Sequence, residues 1–339
     1  MKTLSISSLL YILGFSLFLG LLSGCRKEVT IALPIPTVEG EPSGATMTTK
    51  SVKVEGSKVE FTVDLYVVNK NGRFVTGLQK DNFSIAAASG RTYQIEKVEL
   101  FGLSQISGGY SALMLFDQSG SIASTDPRNL RIEAGKTFLD HLGYNDNAAI
   151  ASFTASYPSN QYPNYTKFHN EFSRDTTYMK AVLDTLSRYP TGGTPLYHSV
   201  NAALDFAESK AKNSNKAVIV FTDGEDNMGG NINDVINYAK TKKLPLFTVG
   251  LSRSVDVGVL SRMASETGGA FFWAQNAKQL ISSFSTLGRL LANNTHLYRT
   301  TWSVEKSSGE WKTGDTITAT IKITLPSGEI VDSPFWIKL

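Results

Sequence analysis

One cysteine, Cys25, in 339 residues excludes an internal disulfide framework and a multi-cysteine zinc site. Four histidines, none paired at ligand spacing, leave a histidine-rich metal site without donors. Charge of one sign is missing too. Lys+Arg is 33 and Asp+Glu is 30, a net of +3 with the basic residues dispersed, so nucleic acid is not the expected partner. There is no Gly-x-Ser-x-Gly elbow and no Gly-x-x-x-x-Gly-Lys phosphate loop. What is present is enough for a core: hydrophobic residues are 41% and charged residues 19%, which excludes a mostly disordered chain. The length suits two domains at roughly 100–200 residues each.

The first segment reads as an address. Lys2 precedes an apolar run from Leu9 to Leu22, shorter than the roughly 20 residues of a spanning helix. A basic start and a short apolar run are the marks of a secretory signal. The run ends in Leu22-Ser23-Gly24-Cys25. This resembles the bacterial lipoprotein signal, which implies removal of residues 1–24 and lipidation of Cys25 as the new N-terminus. The alternative is an uncleaved anchor with an incidental cysteine. Lipidation would attach the chain to a membrane surface rather than thread it through. By the same resemblance, an Asp after the cysteine would favour the inner membrane. Arg26 stands there instead, so the outer membrane of a bacterial envelope is the expected address. Arg26-Lys27-Glu28 could also belong to a surface-export signal. Residues 25–46, with Pro34, Pro36 and Pro42, read as an extended tether.

Beyond the tether the pattern runs β, then α/β, then β. Val59, Phe61, Val63, Leu65 and Val67 alternate with polar residues, which predicts a half-buried strand over 58–68. Further strands are expected at 73–76, 83–86 and 92–101 in the N-terminal β-segment, 47–109. The C-terminal β-segment, 294–339, shows the same alternation over 316–325, and Pro326-Ser327-Gly328 turns the chain into 330–339. Together the flanks supply about seven strands, which suits one immunoglobulin-like sandwich split by an insertion. Two separate β-elements packed on the middle domain are the alternative.

The middle, 110–293, changes rhythm. Continuous apolar strands are expected at 111–116, 148–153, 217–221, 245–251 and 270–273. Helices are expected at 127–142 (Asp126 as N-cap, Pro127 first), 176–187, 195–212, 232–242, 257–266 and 278–291. Apolar strands separated by helices imply a mostly parallel sheet covered on both faces, the doubly wound α/β class.

In such sheets ligands bind beyond the carboxyl ends of the strands. Three oxygen-rich segments fall there: Asp117-Gln118-Ser119-Gly120-Ser121, Thr191-Gly192-Gly193-Thr194-Pro195 and Thr222-Asp223-Gly224-Glu225. Two carboxylates and three hydroxyls, with no thiol or imidazole, suit a hard cation: Mg2+ first, Mn2+ or Ca2+ next. Neutral hydroxyls donate little charge, so the ion would seek an anionic oxygen from outside, such as a partner's Asp or Glu. These segments resemble the von Willebrand factor type A domain and its metal-ion-dependent adhesion site. The family pattern is Asp-x-Ser-x-Ser, a distant Thr and a distant Asp. The resemblance assigns Asp117, Ser119, Ser121, Thr194 and Asp223 as metal ligands and implies a protein-binding domain, not an enzyme. It also implies a last helix, here 278–291, that shifts when ligand engages.

Blander roles compete at each position. Asp117 could be a turn acid, and Thr194-Pro195 could cap the helix that follows. Glu225 and Asp226 read as solvated loop acids, or as acids that influence the ion from behind its ligands, His198 as a packing or surface histidine, and Phe271-Phe272-Trp273 as core strand. Tyr157, Tyr162 and Tyr165 read as loop filler or contact surface. The expected function is a lipid-anchored extracytoplasmic binding protein that captures a protein ligand through the metal. An envelope assembly scaffold using the same site and a metal-dependent hydrolase are the rival readings.

Overall fold

The computed structural model describes residues 44–70, 74–86, 90–102, 109–188, 190–223, 225–251, 255–274 and 296–339. The signal segment with Cys25, most of the tether and the helix expected at 278–291 lie outside the described residues. The chain opens with β1 (Gly44–Glu55), β2 (Lys58–Val68), β3 (Phe83–Ile85) and β4 (Arg91–Gly102). The α/β part follows: β5 (Tyr110–Asp117), α1 (Ile122–Thr125), α2 (Leu130–Asp140), β6 (Asn147–Phe153), β7 (Thr166–Phe168), α3 (Thr176–Leu186), α4 (Leu196–Lys210), β8 (Asn215–Thr222), α5 (Ile232–Lys242), β9 (Leu246–Leu251), α6 (Val257–Thr267) and β10 (Phe271–Ala274). It closes with β11 (His296–Lys306), β12 (Thr316–Thr324) and β13 (Ile330–Lys338).

In the middle, β10, β9, β8, β5 and β6 run parallel in that order, and β7 adds an antiparallel edge. Every residue of β5 is buried. Its side chains alternate between two cores. Ala112, Met114 and Phe116 pack with Ile132, Phe138, Met179 and Leu183 of α2 and α3. Leu113 and Leu115 pack with Leu196, Val200, Val235 and Leu260 of α4, α5 and α6. A strand covered on both faces has no solvent side, hence its unbroken apolar sequence. This is the doubly wound arrangement, and it places all five parallel strands with their carboxyl ends at one mouth.

The flanks form one sandwich. Strand β11 lies between β2 and β4, and β3 pairs with β12, so each of the two sheets mixes N-terminal and C-terminal strands. The sheets enclose a single core in which Phe61, Val63, Trp302, Ile321 and Phe335 are buried. The Phe61 and Phe335 rings sit 5.3 Å apart across it. Strand β1 pairs with β2 along its length and meets β10 at Met47 and Phe271, which makes one continuous sheet of ten strands.

Some expected elements shift. Strand β1 starts at Gly44, inside the stretch read as tether, and residues 74–76 form only an isolated bridge between Phe74 and Val68. The helix expected from Pro127 starts at Leu130 behind Asn129 at φ 54°. Asp126 is not its N-cap, because its carboxylate is held by the Arg131 side chain and backbone. Residues 122–125 form the short α1 instead.

Because Phe61 and Phe335 come from opposite ends of the chain, their shared core is testable. Each substitution to Ala should cost about 3–5 kcal/mol in urea denaturation. The double variant should depart from additivity by about 0.5–3 kcal/mol. Strict additivity would contradict a common core.

Candidate metal centre

Strand β5 ends at Asp117, and its ladder with β6 continues for one step, Gln118 N–H donating to the Phe153 carbonyl at 2.9 Å. The backbone then turns: Ser119 N–H donates to Asp117 Oδ1 at 2.8 Å, the local bond for which Asp is favoured in turns. Ser119 and Ser121 project to the same side, their hydroxyl oxygens 3.1 Å apart. Strand β8 runs beside β5 with Phe221 opposite Phe116, so Thr222 and Asp223 arrive at the level of Asp117. Ser121 Oγ donates to Asp223 Oδ1 at 2.9 Å, and Thr125 donates to Asp223 Oδ2. Thr222 Oγ1 donates to Asp117 Oδ2 at 2.6 Å.

Thr194 is placed by its backbone. Thr191 N–H donates to the Gln118 carbonyl and Gly120 N–H to the Gly192 carbonyl, each at 2.9 Å, which ties this loop to the Asp117–Ser121 turn. Gly192 has φ 84°, and a Cβ there would lie 2.3 Å from Ser156 Oγ, so only glycine fits. Thr194 N–H donates to Asn227 Oδ1 at 2.7 Å, and Asn227 N–H returns a bond to the Thr194 carbonyl at 3.1 Å. The five expected ligands therefore stand on three loops cross-linked to one another. No side chain of the N-cap closes the start of α4; Asp226 supplies that bond to Tyr197 N–H at 3.0 Å. Asp226 is thus not the solvated acid expected from its sequence. Glu225 is exposed.

The donor set fits a small hard cation. Adjacent corners of a Mg2+ octahedron with bonds of 2.0–2.1 Å lie about 2.9 Å apart. The Ser119–Ser121 and Ser121–Asp223 oxygen pairs, at 3.1 and 2.9 Å, match that edge. Asp117, Ser119, Thr194 and Asp223 are buried, whereas Ser121 and Gly120 are exposed, so the mouth opens to solvent on the serine side. Among the described residues no three carboxylate, imidazole or thiol groups cluster, so the donors are two carboxylates with hydroxyls. Burial pushes the Asp117 carboxyl up to about 6 against the hydrogen bonds from Ser119 and Thr222, and the Asp223 charge raises it further. A bound cation would remove that penalty.

Beneath the mouth lies a residue that is not among the expected site residues. Arg131 is fully buried. Its guanidinium donates to Asp126 Oδ2 at 3.0 Å, to Gln118 Oε1 at 2.8 Å and to the Leu186 carbonyl at 2.9 Å. It thereby clamps the metal turn to the end of α3, where the Thr194 loop begins. The signal was there: Arg131 occupies the apolar stripe of α2, in line with Ala134 and Phe138. Thr125 and Thr222, which orient Asp223 and Asp117, were not among the expected ligands, although Thr222 stands in the oxygen-rich segment at 222–225. The tyrosines of the neighbouring loop largely satisfy each other. Tyr157 bonds to Ser152 at 2.7 Å and its ring lies 5.2 Å from that of Tyr162. His198 packs edge-on against Tyr165, and Phe271 and Phe272 are core.

Two outcomes follow from these contacts. Replacing Thr222 with Val frees Asp117 Oδ2 and should weaken Mg2+ binding by about 10–100-fold in titration calorimetry, with the fold retained. Unchanged affinity would contradict its orienting role. Asp117 is also a source of pH dependence. An unfolded Asp loses its proton near pH 3.9, whereas the folded, metal-free protein holds it to about 6. Stability from this group is greatest below the unfolded value and falls as pH rises toward 6. In chelator, the difference between wild type and Asp117→Asn should drop on the order of 2 kcal/mol between pH 4 and 7. A flat difference would contradict the cost of burying this carboxylate.

Several known proteins are similar to this chain over part of its length. A curated relative, calcium-activated chloride channel regulator 1 of Equus caballus, is 26% identical over 195 residues, covering 57% of this chain and 20% of its own length. The chain thus spans about a fifth of that relative. Among solved structures, a von Willebrand factor type A protein from Catenulispora acidiphila is 12% identical with a TM-score of 0.47, covering 88% of this chain and 74% of its own. Proximal thread matrix protein 1 of the mussel byssus, described with a zinc-occupied MIDAS motif, is 15% identical with a TM-score of 0.45, covering 63% and 50%. The family model of the von Willebrand factor type A domain matches residues 113–286, just over half the chain. With that match running from within β5 to beyond β10 and taking in the three loops of the mouth, this chain belongs to the von Willebrand factor type A family.

Proposed function

We propose that this protein is a lipid-anchored, extracytoplasmic binding protein that captures a protein ligand through a Mg2+-type ion held by Asp117, Ser119, Ser121, Thr194 and Asp223. Domains of this family generally mediate contacts between proteins. The observation that carries the reading is the convergence of two buried carboxylates with two serine hydroxyls at a mouth that is exposed at Ser121. Four of the five ligands are buried in the protein, and the open side is where a partner's Asp or Glu would supply the missing anionic oxygen. Mn2+ and Ca2+ fit the same donor chemistry less closely than Mg2+.

The anchoring part rests on sequence, the apolar run ending in Leu22-Ser23-Gly24-Cys25. Cys25 as the lipid-bearing residue puts the binding domain at the end of a proline-containing tether on a bacterial membrane, the outer membrane first. Among the described residues no helix is long and apolar enough to cross a membrane. We read the mouth as a binder rather than a hydrolase because the groups it gathers are hydroxyls and carboxylates. The nearby imidazoles are engaged elsewhere, His169 with Ser152 and His198 with Tyr165.

Capture of envelope proteins by the immobilised full chain tests the reading. Mg2+-dependent capture should be abolished both by chelator and by Asp117→Ala. Capture that survives both would overturn it. Partners drawn from the same cell's envelope would make the protein an assembly scaffold, and foreign surface proteins would make it an adhesin.

A further inference from the structure

Among the described residues, large apolar side chains are exposed at seven positions: Val52, Val54, Leu100, Tyr144, Tyr178, Met228 and Ile330. Val52, Val54, Leu100 and Ile330 belong to sandwich strands. Tyr144 lies in the turn before β6, and Tyr178 in the first turn of α3. Only Met228, 39% exposed, lies in a loop that leaves the carboxyl end of a central strand. It is beside the metal mouth.

Its position is fixed from three sides. Met228 N–H donates to Asp226 Oδ1 at 3.2 Å, and Asp226 is itself held by Tyr197 N–H. The preceding Asn227 exchanges two bonds with Thr194. A Cβ on Gly193 would lie 3.4 Å from the Met228 sulfur, so the thioether rests against the residue preceding a metal ligand. The glycine is required there, since the same Cβ would come within 2.7 Å of Asn227 Oδ1. Three hydrogen-bonded anchors thus hold an unbranched apolar side chain half in water at the rim of an anion-seeking site. Solvent-exposed methionine contributes nothing to the core, and its polarisable, adaptable side chain suits contact with varied apolar partners.

We propose that Met228 is a specificity-determining contact, and that the partner segment presents an apolar side chain within one or two residues of the acidic residue that completes the metal's coordination. The proposal rests on the metal-dependent capture put forward above. The spacing follows from the chain: Met228 rests against Gly193, the residue before Thr194, and an extended partner advances about 3.3 Å per residue. The metal fixes the carboxylate. Met228 then distinguishes acidic segments with an aliphatic or aromatic neighbour from those flanked by polar residues.

The test uses a displayed library of random peptides with one fixed central Asp or Glu, selected on the full chain in Mg2+. Wild type should enrich Leu, Ile, Met or Phe within two positions of the acid. Met228→Ser should lower that enrichment by about tenfold, the equivalent of 1.4 kcal/mol, and Met228→Leu should retain it. Mg2+ affinity by calorimetry should be the same in all three. Peptides selected for the acid alone, or an apolar preference unchanged in Met228→Ser, would overturn the role of Met228. Failure to recover any peptide that chelator releases would instead overturn the metal-dependent capture itself.

Discussion

Two carboxylates, Asp117 and Asp223, are buried at the same end of one sheet, and the buried cation beneath them, Arg131, is already bonded to Asp126. Burial raises the proton affinity of Asp117, and the nearby charge of Asp223 adds to it. The surrounding hydroxyls from Ser119, Ser121, Thr125 and Thr222 offset part of the cost. A divalent cation would balance the pair in full. The remainder of the mouth, its oxygen spacing and its open serine side, takes its meaning from that unresolved charge.

The fold is what makes the pair possible. Parallel strands deliver their carboxyl ends to one place, and β5 and β8 are neighbours in register, so residues far apart in sequence finish side by side. Three loops then lock together through backbone bonds, with Gly192 permitting the closest approach. Arg131 ties the turn after β5 to the end of α3, which feeds the Thr194 loop. The sandwich built from both ends of the chain joins the same sheet through β1, so the α/β part and the sandwich share one continuous sheet.

The parts of this arrangement that were legible in the sequence were those with strong local signals. Continuous apolar runs marked the buried strands, and the limits of α5 coincide with the expected 232–242. The oxygen-rich segments announced the mouth because they fall at strand ends, where open α/β sheets bind ligands, and in the order of the family pattern. Less legible was whatever depends on distant partners. Strand β11 sits between β2 and β4 from the other end of the chain, and that pairing has no local mark. Asp126 looked like a helix cap because a Pro follows it, but the buried Arg131 claims it. Asp226 looked solvated because its acceptor role is toward Tyr197, 29 residues away in sequence.

The central claim is that Asp117, Ser119, Ser121, Thr194 and Asp223 together form a cation site. Anomalous scattering from crystals grown with Mn2+ tests it most directly. The account predicts one strong peak at the mouth, within bonding distance of the Ser119 and Ser121 hydroxyls, and its loss in Asp223→Ala. A peak bound elsewhere, or a mouth that stays free of metal at saturating Mn2+, would contradict it.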